Sequence, residues 1–575
     1  MKPEKRWTLK PADEETVNRL YEALNIQPAI CRILALRGIK DYEGAKLFFR
    51  PELSHLHNPF LMKGMQKAVE RISEAIEWHE RIMVYGDYDV DGTTSVALLY
   101  SFLKKNYTGE LSYYIPHRYR EGYGISKQGI DFAHGNGYTL LITLDCGIKS
   151  VEMITYAQSL GIDVIVCDHH LPDAHIPPAY SILNPKQSDC KYPYKELSGC
   201  GIGFKLASAL AIHWKLPMES VYVYLDLVAT SIAADIVPID GENRILAYYG
   251  IKRINESPCL AISTLKELGG VTKALSISDL VFVIGPRVNA AGRMDDARKA
   301  VEFFIETDPE KIPTLASALH SDNDDRKEVD KSTTDEALAI MQEDENMRQR
   351  KSTVLFRKHW HKGVVGIVAS RLIDHYYRPT ILLTSANGKA TGSARSVSGF
   401  NIYEAIHECR DLLDNYGGHF YAAGITLKED RVDEFITRFE QIVAATITAD
   451  QQIPEIEIDA EIPLSLVKPS LNNILKQFEP FGPANMRPVF ISRQLYDYQG
   501  MSNIVKEQHL RIVAHQKNGS VIEGIGFGLG DKYELVRNGP FDMVYNLEDN
   551  EYNGNIKLQV KVIDVRNSET RKQVQ

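Results

Sequence analysis

The sequence predicts an α/β protein that ends in a small β-barrel, and three observations carry that prediction. Between about Arg81 and Ile239, short β-branched apolar runs alternate with amphipathic segments, the βαβα pattern of a parallel sheet with helices on both faces. Residues 308–345 form a highly charged, glycine-free run of helix-forming residues. After about Ile453 the chain changes to short strands and turns.

In chain order, residues 1–50 read as a helical segment, because EETVNRLYEAL places apolar residues at helical spacing. Residues 51–307 form the first lobe. There RIMVYGD, YTLLITLD and GIDVIVCD are compact apolar strands, each stopping at an aspartate, with helix-like TTSVALLYSFLKK and KSVEMITYAQSLG between them. Ligands of such sheets bind beyond the carboxyl ends of the strands, so these aspartates should line one edge. Residues 308–345 read as a helix connecting two lobes. A second α/β unit, 346–450, contains STVLFR, TILLTS and the amphipathic NIYEAIHECRDLLDNY. In 451–575, VIEGIGFGLG, FDMVYNLE and NIKLQVKVIDV suggest a barrel, with an OB-fold the leading candidate. We find no internal repeat or low-complexity segment.

Composition bounds the function. A chain of 575 residues is too long for one core, and roughly three or four domains follow from its length. The N-terminal MKPEKRWTLK has no apolar core of a signal peptide, and no stretch reaches the roughly 18 uncharged apolar residues that span a membrane. Seven cysteines lie scattered without CxxC spacing, which argues against a disulfide framework and a structural zinc site. These features predict a cytoplasmic protein without a membrane partner. The net charge of −10 speaks mildly against nucleic-acid binding, but the total hides local clusters.

One cluster is VYGDYDVDGTTSVALL, where Asp87, Asp89 and Asp91 repel one another with no Lys or Arg between Ile82 and Leu103. The motif matches the first half of an EF-hand loop, but position twelve is Leu98 and the upstream segment is a strand, so that reading fails. An acidic surface turn is the bland alternative, and the apolar flanks count against it. TLDCGI adds Asp145, VIVCDHHLP adds Asp168, His169 and His170, and LVATSIAADIVPI adds Asp235. Each alone is weak: Asp after an apolar run is often a helix cap. Four acidic motifs on one sheet edge with an imidazole pair between them make a metal site. The oxygen-rich donors suit Mn²⁺ or Mg²⁺, and their number suits two ions about 3.5–4 Å apart.

These motifs resemble the DHH phosphoesterase superfamily and, within it, the RecJ family of single-strand-specific 5′→3′ DNA exonucleases. The resemblance runs from about Pro51 to the C-terminus. It rests on VYGDYDVDGTTS, IPHRYREGYGIS, LDCG, CDHH, TSIAADIVPI and GPRVNAAGRM, then WHKGVVGIVASRL, TGSARS, GGHFYAAG and FEPFGPANMRPVF. It implies a DHH catalytic domain at 51–307, a DHH-associated domain at 346–450 and a nucleic-acid-binding barrel at 451–575.

By this resemblance Asp89, Asp91, Asp145, His169 and Asp235 bind two divalent metals, with Asp87 an additional ligand and Asp145 bridging. His170 contacts the scissile phosphate or leaving oxygen, and Asp168 orients the histidines. Arg118, Arg287, Asn289, Arg293, Ser393, Arg395 and Ser396 are phosphate or DNA ligands, some forming a pocket for a 5′-phosphate; Arg suits that group because its planar fork matches phosphate. Tyr123 is a base-stacking candidate and His419 a DNA contact. The implied activity is hydrolysis of single-stranded DNA from its 5′ end to 5′-mononucleotides by a monomer in repair and recombination, supplied by a helicase and single-strand-binding protein. The alternatives are a DHH phosphodiesterase for short oligonucleotides, cyclic dinucleotides or polyphosphate, and a non-catalytic DNA-binding scaffold, which would be expected to have lost metal ligands.

Overall fold

The structure, a computed structural model, describes residues 4–517, 519–552 and 555–568. The N-terminal segment opens with strand β1 (Arg6–Leu9) and continues through helices α1 (Glu14–Leu24), α2 (Pro28–Leu36) and α3 (Tyr42–Phe49). It is not the purely helical segment expected. β1 pairs in parallel with Glu455–Ile458, and Val17, Leu20, Ile30, Ile33 and Leu34 enter the core of the C-terminal barrel. An amphipathic helix needs an apolar surface to cover, and the segment finds it at the far end of the chain.

The first lobe holds five parallel strands: β2 (Ile82–Gly86), β3 (Leu111–Tyr114), β4 (Leu140–Leu144), β5 (Asp163–Cys167) and β6 (Ser181–Leu183), in spatial order β3-β2-β4-β5-β6. Alternation along β2 sends Ile82 and Val84 into one core and Met83 and Tyr85 into the other, so both faces are buried. Helices α4 (Val90–Asn106), α5 (Gly199–His213), α6 (Leu225–Ala234) and α7 (Gly241–Glu256) pack on the first of these faces. α8 (Gly285–Met294) precedes the connecting helix α9 (Ile312–Glu343). α9 buries Ile312, Ala316 and Leu319 in the first lobe and Ala337 and Met341 in the second, as a connector must.

The second lobe contains β7 (Thr353–Phe356), α10 (Val365–Tyr376), β8 (Thr380–Ala386), β9 (Lys389–Arg395), β10 (Asn415–His419) and β11 (Ala422–Lys428). Its sheet runs β10-β11-β9-β8-β7. The amphipathic stretch NIYEAIHECRDLLDNY is α-helical over Ile402–His407, with a 3-10 turn at Arg410–Leu412. The tight β10–β11 hairpin, whose Gly418 has φ +158°, draws Asn415 and Tyr416 into the sheet instead.

In the last unit α11 (Pro469–Lys476) leads to β12 (Phe490–Asp497), β13 (His509–His515), β14 (Val521–Gly526), β15 (Phe541–Tyr552) and β16 (Asn555–Asn567). Pairing of Tyr496 with His515 and Asp497 with Ala514 closes the ring in the order β12-β13-β14-β16-β15-β12. That closed five-stranded Greek-key order is OB-like. Among the described residues no helix is long and apolar enough to cross a membrane.

Candidate active site

The carboxyl ends of β2, β4 and β5 deliver the predicted acids. Asp87 follows β2, and Asp89 N-caps α4, its side chain accepting from the Gly92 amide at 3.0 Å. Asp91, in the first turn of α4, reaches the N-terminus of α5. Its two oxygens accept from the amides of Gly199 (2.7 Å) and Cys200 (2.8 Å), and Oδ1 also accepts from the Ser231 hydroxyl at 2.7 Å. Those donors and the positive end of α5 hold the carboxylate in place and aimed. Asp145 follows the central strand β4 with φ +60°, a left-handed backbone that turns its carboxylate inward. Asp235 corrects the expectation that all the acids sit on the sheet edge. It caps the C-terminus of α6, and Ile236 at φ +59° turns the chain away after it.

Gly199 lets these parts meet. A Cβ there would stand 2.7 Å from Asp145 Cβ and 3.0 Å from both Asp145 Oδ1 and Asp91 Oδ2. Any larger residue would push the helix end out of the acidic cluster.

The ligand-capable atoms form three groups, one of them Asp145, His169 and His170. Asp87, Asp89 and Asp145 offer atoms within 4.8 Å of one another, as do Asp91, His169 and Asp235. His169 Nε2 lies 3.1 Å from Asp145 Oδ1, 3.6 Å from Asp235 Oδ2 and 3.7 Å from Asp91 Oδ2, so Asp145 adjoins both groups. Burial and the neighbouring carboxylates raise Asp87 and Asp145 well above the usual carboxylate range, and raise Asp89 as well. The same causes push Asp235 up to about 9. Burial also keeps His169 neutral, lowering its pKa against the pull of Asp91. Asp87 Oδ1 and His169 Nε2 are buried with no hydrogen-bond partner among the described residues. Orphaned acceptors inside mutually repelling carboxylates, with a neutral imidazole among them, fit divalent cations.

His170 stands differently. Its Nδ1–H donates to Asp168 Oδ1 at 2.7 Å, and Asp168 Oδ2 accepts from the Ile148 amide at 2.9 Å. Burial opposes ionisation of Asp168, but His170 and the backbone donors outweigh it and bring its pKa to about 2. Burial likewise opposes the charge on His170, and Asp168 reverses that to a raised pKa. Tyr123 is solvent-exposed along its ring, yet its hydroxyl lies 3.1 Å from His170 Nε2 and donates to the Asp145 carbonyl at 3.3 Å. His419, from the second lobe, faces Lys149 and His170, both of which lower its pKa after burial does.

A basic pocket adjoins this cluster. Arg118 lies over the Tyr88 ring at 4.7 Å and lowers the pKa values of Asp87 and Asp89, against the larger effect of burial. Arg293 donates to the Gly363 carbonyl at 3.0 Å; burial, Arg118, Arg326 and Arg395 lower it to about 10. Arg395 donates to Ser393 Oγ at 2.7 Å, and both stand against Gly366 in the first turn of α10. Asn289 lies one turn before Arg293 on α8. Among the described residues Arg118, Arg293, Arg395 and Lys362 form no ion pair with any carboxylate. Cations without anions at a helix N-terminus suit an anion.

Two candidates lie elsewhere. Arg287, on the opposite face of α8, donates to Val283 O at 2.6 Å and His320 Nδ1 at 3.3 Å. Ser396 donates to Phe400 O at 2.6 Å within its own loop. Lys362, Arg326, Ser231 and Gly199 were not singled out from the sequence, because nothing local marks them.

Between the first lobe and the barrel unit runs an apolar groove of about 990 Å³, beginning beside Asp235. Ile236, Phe282 and Met486 line it and are 64%, 74% and 61% exposed, with Arg50, Lys252, Lys476 and Arg487 beside Glu256 and Glu479 among its walls; Lys476 pairs with Asp549 and Arg487 with Glu479.

This fold and this site define a class, the DHH phosphoesterase-type proteins with an associated second lobe. Residues 81–232 match the DHH family N-terminal domain, 349–445 the DHHA1 domain and 458–564 the RecJ OB domain. The chain is 36% identical over 570 residues to the single-stranded-DNA-specific exonuclease RecJ of Bacillus subtilis, covering 98% of this chain and 71% of that protein. It is 33% identical to the Escherichia coli protein of that name over 562 residues, covering 94% of this chain and 96% of the other. The chain belongs to the RecJ exonuclease family. A crystal structure of Thermus thermophilus RecJ with Mn²⁺ superposes with a TM-score of 0.83 at 28% identity, covering 98% of this chain and 80% of that one.

Proposed function

We propose that the chain hydrolyses single-stranded DNA from its 5′ end, releasing 5′-mononucleotides, with two divalent cations, Mn²⁺ or Mg²⁺. The observation that carries this reading is the adjacency of the two sites. Arg118 lies over the ring of Tyr88, the residue between Asp87 and Asp89, and also belongs to the unpaired basic pocket, so an anchored terminal phosphate places the next phosphodiester at the acidic cluster. Its relatives are named single-stranded-DNA-specific exonucleases, and related structures carry Mn²⁺ or Mg²⁺.

Asp87, Asp89 and Asp145 would hold one cation, and Asp91, His169 and Asp235 the other, with Asp145 between them. When bound, the two ions supply Lewis acidity and make a water nucleophilic near neutral pH. Arg118, Arg293, Ser393 and Arg395 hold the 5′-phosphate and fix polarity. His170, its pKa raised against burial by Asp168, offers a donor to an oxygen of the scissile phosphate or the departing 3′-oxygen. Each cut leaves a new 5′-phosphate, and the same pocket takes it. Tyr123 and His419 border the reacting nucleotide. The groove beside Asp235 carries the rest of the strand past the barrel, where single-strand-binding protein and a helicase would deliver it.

The test is Asp145→Ala. Loss of Mn²⁺-dependent degradation with strand binding retained supports this reading, whereas undiminished degradation overturns it. Strand binding by the parent with no hydrolysis in either metal would make the chain a scaffold. Preference for dinucleotides or polyphosphate would make it another kind of phosphodiesterase.

A further inference from the structure

Arg244, on α7, is buried and has no carboxylate partner among the described residues. Its guanidinium is instead filled by backbone carbonyls from two distant segments. Nε and Nη2 donate to Phe48 O at 3.2 and 3.1 Å, Nη1 donates to Phe478 O at 2.7 Å, and Nη2 also donates to Gln477 O at 3.2 Å. The Phe48 ring covers it with its centroid 3.8 Å away. Phe48 lies in the last turn of α3, and Gln477 and Phe478 follow α11, so both carbonyl sets carry the partial negative charge of a helix C-terminus. One cation thus ties the N-terminal segment and the barrel unit to the first lobe.

The tie bears on the groove. Phe49, Arg50, Gln477 and Glu479, immediately beside the clamped carbonyls, form one of its walls, and Ile232, Ala233 and Ile236 of the Asp235 segment form the opposite one. α7 is itself locked to that second wall. A Cβ at Gly250 would stand 2.4 Å from both Ala229 Cβ and Leu225 O, so α7 and α6 touch backbone to backbone. The Asp235 segment meets the far wall directly at one end, where the Ile239 amide donates to Pro483 O at 2.7 Å, and from Asp235 to Gln477 and Phe478 the path runs α6, α7, Arg244, carbonyls.

We propose that Arg244 is a positioning residue that sets the separation between the two walls of this groove, and thereby how the chain holds strand beyond the cleaved nucleotide. This rests on the exonuclease reading above. Arg244 touches neither the acidic cluster nor the basic pocket, so its loss should spare the chemistry. An apolar residue could fill the same volume, but it could not align two carbonyl sets; the planar fork can.

The experiment compares the full-length parent with Arg244→Met and Arg244→Lys, in Mn²⁺, on a 5′-phosphorylated trinucleotide and on a strand of about 30 nucleotides, longer than one OB unit covers. Arg244→Met should keep kcat and KM for the trinucleotide within about twofold, and raise KM for the long strand about tenfold, the loss expected for one base contact. Hydrogen exchange should show residues 476–487 losing protection while β2 and β4 keep theirs. Equal loss on both substrates, or no loss on the long strand, overturns the proposal. If Arg244→Met does not fold, Arg244→Lys, which keeps the charge but loses the fork, decides by the same comparison. If the parent hydrolyses no strand, the exonuclease reading fails separately. Long-strand affinity in EDTA and the exchange pattern then decide the role of Arg244 alone.

Discussion

Asp145 Oδ1 lies 3.1 Å from His169 Nε2, and that contact joins two ligand groups that would otherwise be separate clusters. Asp145 reaches this place because β4 is the middle strand of five and because its backbone adopts φ +60°. Burial and four neighbouring carboxylates raise its pKa, so the metal-free site holds protons that cations would replace.

Gly199→Ala should damage the centre without touching a ligand. Its Cβ would stand 2.7 Å from Asp145 Cβ, so α5 must retreat and Asp91 loses its two amide donors. The expected outcome is about a 10–100-fold loss of Mn²⁺ affinity by calorimetry, the usual cost of disturbing ligand support. Unaltered affinity would show that the helix end does not shape the site.

Metal binding should release protons. Asp235, at about 9, is protonated near neutral pH in the metal-free protein, and burial and like charges make Asp87 and Asp145 hold their protons to higher pH than ordinary carboxylates; each must ionise to bind a cation. Mn²⁺ affinity therefore rises with pH up to about 9, and calorimetry in two buffers of different ionisation enthalpy measures the protons released. Stability of the metal-free protein runs the opposite way. These groups bind more protons folded than unfolded, so the metal-free protein loses stability as pH climbs from the unfolded carboxylate range, about 4, towards 9. Saturating Mn²⁺ should flatten that slope in thermal melts across pH.

The two arginines proposed from GPRVNAAGR should behave differently, as should Arg395. Arg293→Ala or Arg395→Ala should raise KM for 5′-phosphorylated strands about 10–100-fold and erase the preference over 5′-hydroxyl strands, since a charge-assisted hydrogen bond contributes about 1.5–3 kcal/mol. Arg287→Ala, facing His320 and its own helix, should leave that preference intact. Steady-state rates on matched 5′-phosphate and 5′-hydroxyl strands check all three.

Much of the site was legible because strands betray their ends. Asp87, Asp145 and Asp168 each stop an apolar β-branched run, and a parallel sheet sends all such ends to one edge. Asp235 was found but misplaced, since an Asp closing an apolar run reads alike whether strand or helix precedes it. Gly199, Ser231 and Lys362 were invisible, because their value lies in tertiary approach to residues far along the chain. Ser393 and Ser396 look alike in TGSARS, but strand alternation and the following loop give one to Arg395 and the other to Phe400 O. The union of residues 6–36 with the barrel was equally hidden, because a helical moment shows that a face will be buried and not against what.

The most direct measurement is the fate of the label when single strands labelled at either end are digested in Mn²⁺, with blunt duplex as control. The two-site arrangement predicts that a 5′ label leaves at once as a mononucleotide, that a 3′ label stays on progressively shorter strands, and that duplex survives. Release of the 3′ label first, or of labelled dinucleotides or internal fragments, would contradict it.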